Sequence, residues 1–469
     1  MLRQASVYFL FRAGNGVVAL LSLTLLTRLL TPEQYGHYAL GISTANVIAA
    51  LGFQWLNVSV GRFYTSPTVS PNRLLDAAYR HAASIGAVVL LGALILASST
   101  AFGSTPFTFI IATASLGVAL GFHNLHLQLL NAQQNTLRYG WLLATRAWLA
   151  FALAIAAVWC GGQATGALTG IAIGSVAAVL VLGAQRPSAD ATGCQTLEQD
   201  VGRRLVRFGL PLSLSYLSIV TLDSADRYML NHWQGPAAVG AYGAAFDLIQ
   251  HTMGATLNVL YVAAYPRIVA AWEQGGAEAA STLLRPLRSA MLLVAPLAVV
   301  MFSGLASEIA SLVLGESVAD QSAALMTPLA LAVAFSCLRA FCFDIALHLR
   351  QSTRMQVLTT ALMAGINLAL NVLLIPRFGA LGAAWASACA FGCGMAASLW
   401  FGRADRLFAG VGRELAIASF AAALALLVAN TVPNPFEAAF AIGLTKALVL
   451  VVTFLLAFHS AKTLLTRLA

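Results

Sequence analysis

The chain has 469 residues, of which 59% are hydrophobic and only 9% charged, and it carries a net charge of +9 with a mean hydropathy of +0.81. A water-soluble domain carries about 25% charged residues, so a soluble fold is excluded and an all-α polytopic membrane protein is indicated. The positive surplus needs no nucleic acid to explain it, because Lys and Arg collect in the cytoplasmic loops of membrane proteins.

Apolar windows of roughly 20 residues recur along the chain, each long enough to cross about 30 Å of hydrocarbon as a helix. In chain order the predicted spans run at about 7–30, 37–60, 80–102, 107–130, 139–160, 163–185, 206–230, 237–263, 286–304, 322–348, 355–375, 380–402, 412–430 and 437–459, about fourteen in all. The first is interrupted by Arg12 and lacks a small-x-small cleavage site, so it is expected to remain as a span. Spans 5 and 6, and spans 11 and 12, are separated by such short turns that each pair is expected to be an antiparallel hairpin.

Placing the N-terminus inside puts most arginines on the cytoplasmic side, among them Arg62, Arg73, Arg80, Arg203, Arg204, Arg207, Arg267, Arg285 and Arg288. It leaves only Arg28, Arg227 and Arg377 at outer ends. Both termini are therefore expected in the cytoplasm, and the cell's inner membrane is the expected location. Six cysteines show no CxxC spacing, so neither a disulfide frame nor a zinc site is indicated.

The turn "TRLLTPEQYGHYALG" recurs as "LNHWQGPAAVGAYGAAF": Gly36 falls on Gly240 and Tyr38 on Tyr242, a shared shift of 204 positions. Here glycine is expected to permit the tight exit from a helix and tyrosine to anchor at the interface. Further on, "QQNTL" (Gln133 to Leu137) is echoed by "RQSTR" (Arg350 to Arg354), and "TGALTG" (Thr165 to Gly170) by "FGALGAA" (Phe378 to Ala384). These landmarks predict two parallel-repeat six-helix lobes around a central cavity. Residues 1–185 form the first, 186–207 a cytoplasmic linker, 208–402 the second, and 403–469 two extra helices. Transporters built in this way bind cargo between the lobes.

Charges inside the membrane are costly and mark functional candidates. Arg12, Arg146 and Arg339 fall in the inward half of spans 1, 5 and 10, with His123 and His126 of span 4 at similar depth and Arg62 at the mouth of span 2. Guanidinium forks suit a phosphate-bearing cargo, a diphosphate above all. The arginines in the spans and the histidines have structural alternatives: Arg12 snorkels, Arg146 and Arg339 snorkel or form private ion pairs, and the two histidines are hydrogen-bonded core residues without a third metal ligand nearby. Among the acids, Asp247 and Asp344 are candidates for ion coupling. Asp223 and Arg227, four apart, are expected to form a structural ion pair.

"RLLTPEQYGHY" (Arg28 to Tyr38), "DRYML" followed by "VGAYGAA" (Asp226 to Ala245), and "INLALNVLLIPRFGALGAAWAS" (Ile366 to Ser387) resemble the oligosaccharide flippases. These are Wzx-type polysaccharide biosynthesis proteins of the multidrug/oligosaccharidyl-lipid/polysaccharide exporter superfamily. The resemblance implies a MATE-like, bilobed fold that moves a polyprenyl-diphosphate-linked oligosaccharide to the outer leaflet by alternating access. It implies membrane lipids, polysaccharide polymerases and glycosyltransferases as candidate partners. Many relatives have about twelve spans, so the last two are a departure; lipid II flippases share the extra pair but place arginines on span 8, where this chain has Asp247.

An ion-coupled exporter of drugs or small cations, or a lipid II flippase, is the alternative of the same fold. A drug exporter is expected to have surplus carboxylates in its cavity, and here the inward half is basic. No GxxxxGK[ST] loop is present and no cofactor is expected, so the drive is expected from the membrane potential or a proton or sodium gradient. An enzyme needs a sizeable outer loop bearing acids or bases. The longest one, Gly304 to Gln321, reads as a solvated connection despite Glu308, Glu316 and Asp320.

Overall fold

The computed structural model describes residues 2–64, 66, 69–99, 106–183, 201–402, 407–408, 410–431 and 439–467, with some side chains within these helices undescribed, 211–219 of the seventh among them. Every regular element in these residues is helical. Most of the linker expected at 186–207 lies outside them, as does Cys194. Packing divides the chain into two compact units, Met1–Tyr228 and Met229–Ala469.

The first unit contains α1 (Leu2–Leu29), α2 (Pro32–Phe63), α3 (Pro71–Ser98), α4 (Phe107–Ala132), α5 (Thr136–Ala157), α6 (Gln163–Leu182) and most of α7 (Val201–Gln234). Helix α2 starts on a capping box: Thr31 Oγ1 accepts from the Gln34 amide, and the Gln34 side chain accepts from the Thr31 amide. Gly36 lies inside this helix and is buried, as Gly240 is inside α8, so neither is the helix exit expected from sequence. The helix break falls just upstream, at Thr31–Pro32 and at Gly235–Pro236. Only glycine tolerates the Gly235 φ of 82° without strain. The two first-turn prolines share the same shift of 204 as the glycines and tyrosines.

Helices α5 and α6 form a close hairpin. A Cβ on Gly170 would lie 2.6 Å from the Leu153 backbone, and one on Gly174 would lie 2.6 Å from the Ala150 amide nitrogen. The antiparallel order of these contacts matches the hairpin expected for spans 5 and 6. The reversal uses a π-helical segment, Val158–Gly162, with Gly161 at φ 85° and Gln163 at φ 49°.

The second unit holds α8 (Pro236–Ile249), α9 (Ala255–Gly304), α10 (Ala306–Val313), α11 (Glu316–Leu338), α12 (Asp344–Leu349), α13 (Thr353–Phe401), α14 (Val411–Thr431) and α15 (Ala439–Arg467). Helix α9 breaks at Gly275 and Gly276, and α13 at Gly379 (φ 58°), so each contains two apolar arms. Gly382 packs on Leu374 and Gly394 on Met363, again in antiparallel order. The connection from Gly304 to Gln321 is largely helical, with Glu316 and Asp320 exposed, while α10 turns Ile309 onto the core and Glu308 pairs with Lys446 of α15 at 2.6 Å.

The repeat is visible in the backbone. Gln134 (φ 55°) and Gln351 (φ 54°) sit at matching places in "QQNTL" and "RQSTR". Left-handed backbone at a non-glycine residue is uncommon, so its recurrence at matched positions supports a duplicated plan.

Eight helical stretches among the described residues are long and apolar enough to cross a membrane; shorter apolar ones include Gly14–Leu29 and Thr445–His459. Their outward faces are apolar: Val88 is 69% exposed on α3, Leu180 80% on α6 and Leu373 57% on α13. A soluble monomer rarely exposes such contiguous patches, and here they suit lipid.

Candidate functional site

Inside the first unit, polar side chains from four helices gather around Arg146. The α5–α6 contact at Gly174 brings Arg146, one turn before Ala150, against the neighbour of that glycine, Ser175. Arg146 Nε donates to Ser175 Oγ at 3.2 Å, and Ser175 donates to the Ile171 carbonyl at 2.8 Å. Among the described residues no carboxylate pairs with Arg146, and its two terminal nitrogens have no hydrogen-bond partner. Tyr38 of α2 and His123 of α4 are its electrostatic neighbours.

His123 is wholly buried, and neither ring nitrogen has a hydrogen-bond partner among the described residues. Its neighbour His126 is instead held in place: one ring nitrogen bonds the Phe122 carbonyl at 2.9 Å and the other Tyr79 Oη of α3 at 3.2 Å. An orphaned buried imidazole calls for an explanation, such as a water, an ion or a ligand group. The two histidines thus differ: His126 is a structural residue, and His123 is left with unused hydrogen-bonding capacity beside a cation.

The second unit presents a different arrangement. Arg339 opens a π-helical segment, Arg339–Phe343, and its Nη1 lies 3.3 Å from Asp344 Oδ2. Ser398 Oγ donates to the other carboxylate oxygen at 2.6 Å. Arg339 is therefore an ion-pair partner, with its Nε unbonded, and Asp344 is 3% exposed. Unwinding to π geometry is a frequent mark of functional segments, and a second such segment, Gln250–Gly254, begins three residues after half-buried Asp247. Asn367 donates to Ser387 at 3.3 Å and Asn371 to Asn367 at 3.1 Å, forming a neutral polar ladder across the two arms of α13.

The other candidates are placed as follows. Arg62 is exposed in the last turn of α2. The side chains of Arg12 and Asp223 lie outside the described ones, so the expected Asp223–Arg227 pair does too; Arg227 itself is 9% exposed. Sequence reasoning missed Ser175 and Ser398, whose hydroxyls only the helix packing reveals. It also missed the clamp of Arg288, which donates to both carboxylate oxygens of Glu414 at 2.9 and 2.8 Å and to the Leu407 carbonyl at 3.2 Å. The four-residue rule finds pairs within one helix, not pairs between helices 126 positions apart.

Comparison with solved structures gives the fold. A lipid II flippase, MurJ in an inward closed conformation, superposes with a TM-score of 0.74 at 12% identity, covering 100% of this chain and 99% of that one. An inward-facing multidrug resistance transporter of the MATE family gives 0.62 at 14% identity over 86% of this chain and 98% of that one. A eukaryotic MATE transporter gives 0.54 at 15% over 85% and 93%. No curated protein matches the sequence. The sequence itself matches the family described as "Polysaccharide biosynthesis protein" over residues 1–272, more than half of its length. The chain is a multi-pass membrane protein with the MATE-like fold and belongs to the polysaccharide biosynthesis protein family.

Proposed function

We propose that the protein carries a polyprenyl-diphosphate-linked oligosaccharide from the cytoplasmic to the outer leaflet by alternating access, with both termini in the cytoplasm. The observation that carries this reading is Arg146: a guanidinium inside an apolar bundle, fixed by one serine, facing no described carboxylate and offering its remaining donors. A half-buried cation at membrane depth is costly unless an anion, a partner or water meets it, and a diphosphate presents oxygens at the spacing a guanidinium fork prefers. His123 supplies a further donor beside it.

Arg339 enters differently. Bound to Asp344 at 3.3 Å, it becomes available to an anion when that ion pair parts, which makes the pair a candidate for coupling cargo binding to an ion gradient. Asp247 is the second candidate for coupling.

The test is Arg146→Ala, with expression verified, in a host deleted for its own gene. Loss of surface polysaccharide is expected; unchanged polysaccharide removes the cation role. The whole-chain fold likeness to a lipid II flippase favours one second reading, in which the cargo is lipid II. Rescue of a strain depleted of its own lipid II flippase would select that cargo.

A further inference from the structure

A cleft of about 1180 Å³ opens within the first unit between the N-terminal turns of α3 and α7. Arg73 and Arg80 line it from α3, and Arg203, Arg204 and Arg207 from α7, with Asp76 the one acidic residue among its described lining. Its walls are firmly held. Ser59 Oγ donates to the Leu205 carbonyl at 2.9 Å, Trp55 meets the His81 ring edge-on at 5.6 Å, and Arg204 lies over the Phe63 ring at 4.8 Å. Behind them Leu74, Leu75 and Leu205 are wholly buried.

The preference of Lys and Arg for one side of a membrane explains why arginines lie at this end of the helices. It does not explain why five of them surround one concave site on a rigid base. Like charges gathered in a cleft raise its potential and draw in a counter-ion, and guanidinium forks match phosphate oxygens more closely than ammonium groups do. The cleft sits where α3 passes from its polar first turns into the lipid-facing run that exposes Val88 and Leu91, the level of lipid headgroups.

We infer that this cleft is a binding site for the phosphate headgroup of a membrane lipid. The headgroup has two sources of the same chemistry: a bulk anionic phospholipid, or the diphosphate of the polyprenyl-linked cargo before it enters the bundle. The site stands on the cleft alone; only the choice of leaflet rests on the orientation proposed above.

The experiment places the full-length protein in phosphatidylcholine nanodiscs doped with fluorescent phosphatidylglycerol, in which both leaflets are equivalent, so failure here is separable from failure of the orientation. The wild type is expected to retain the anionic probe over a fluorescent phosphatidylcholine. The Arg80→Gln/Arg207→Gln variant is expected to weaken that retention about tenfold at low salt, and Arg73→Gln/Arg203→Gln serves as a second pair. A control removes two exposed arginines outside the cleft, Arg267→Gln/Arg285→Gln, and is expected to keep the preference. No preference in the wild type, or equal losses in cleft and control variants, overturns the proposal. Displacement of the probe by unlabelled polyprenyl diphosphate assigns the site to cargo, and its persistence assigns it to bulk lipid; both outcomes uphold a headgroup site.

Discussion

Arg146 of α5 is tethered to Ser175 of α6 by a single 3.2 Å hydrogen bond, in a hairpin whose backbones touch one turn away at Gly174 and Ala150. The bond leaves most of the guanidinium uncommitted, so the tether orients the charge without neutralising it. Removing the serine should therefore cost less than removing the arginine. A hydrogen bond to a charged group contributes about 1.5–3 kcal/mol, so Arg146→Ala is expected to weaken binding of a diphosphate-bearing lipid by roughly tenfold to a hundredfold. Ser175→Ala should weaken it only a few-fold, and Arg146→Lys should fall between, because the ammonium keeps charge but not the fork. Binding to purified protein measures all three; a lysine variant as weak as alanine would show that geometry rather than charge decides.

Gly174→Ala tests the hairpin. Its Cβ would sit 2.6 Å from a backbone nitrogen, and overpacking of this kind costs about 1–3 kcal/mol. Thermal unfolding in detergent is expected to shift downward and transport to fall with it. Gly92→Ala on α3, which meets nothing within 4 Å, should leave both unchanged. A Gly174→Ala protein as stable as the parent would mean that α5 and α6 have room to separate.

Breaking the Arg339–Asp344 pair from one side should do more harm than removing both partners. Asp344 is 3% exposed, and stranding one charge of a buried pair costs about 3–5 kcal/mol. Arg339→Ala and Asp344→Ala are each expected to lower thermal stability, and the double variant to recover part of the loss. Additive losses would show that the two groups act separately.

The native cysteines report orientation. Cys160 is exposed in the bend between α5 and α6, the outer end under the proposed topology, and Cys194 falls in the linker expected inside. In single-cysteine variants a membrane-impermeant maleimide should reach Cys160 in intact cells and Cys194 only after permeabilisation. The reverse pattern would invert the protein.

The class of fold was readable from composition alone, because runs of apolar residues admit few other structures in lipid. The repeat was readable from Gly36 and Gly240, although the reason given for them was misplaced: the helix breaks belong to the prolines and their caps. The bends inside α9 and α13 were within reach through Gly275, Gly276 and Gly379. The contacts that fix the charges were not. Ser175, Ser398 and Glu414 are ordinary letters in an apolar or amphipathic run, and only the distance closed by folding turns them into partners of Arg146, Asp344 and Arg288. Arg339 shows the same limit, since nothing in its own helix period announces the π-helical segment that sets it against Asp344.

Gln134 and Gln351 hold a left-handed backbone where glycine would do so at no cost. Two segments that share few letters turn with the same handedness at matching places, so torsion angles carry the likeness of the two halves further than spelling does. Kinship among distant proteins of this shape is better sought in where their chains bend than in which residues they retain.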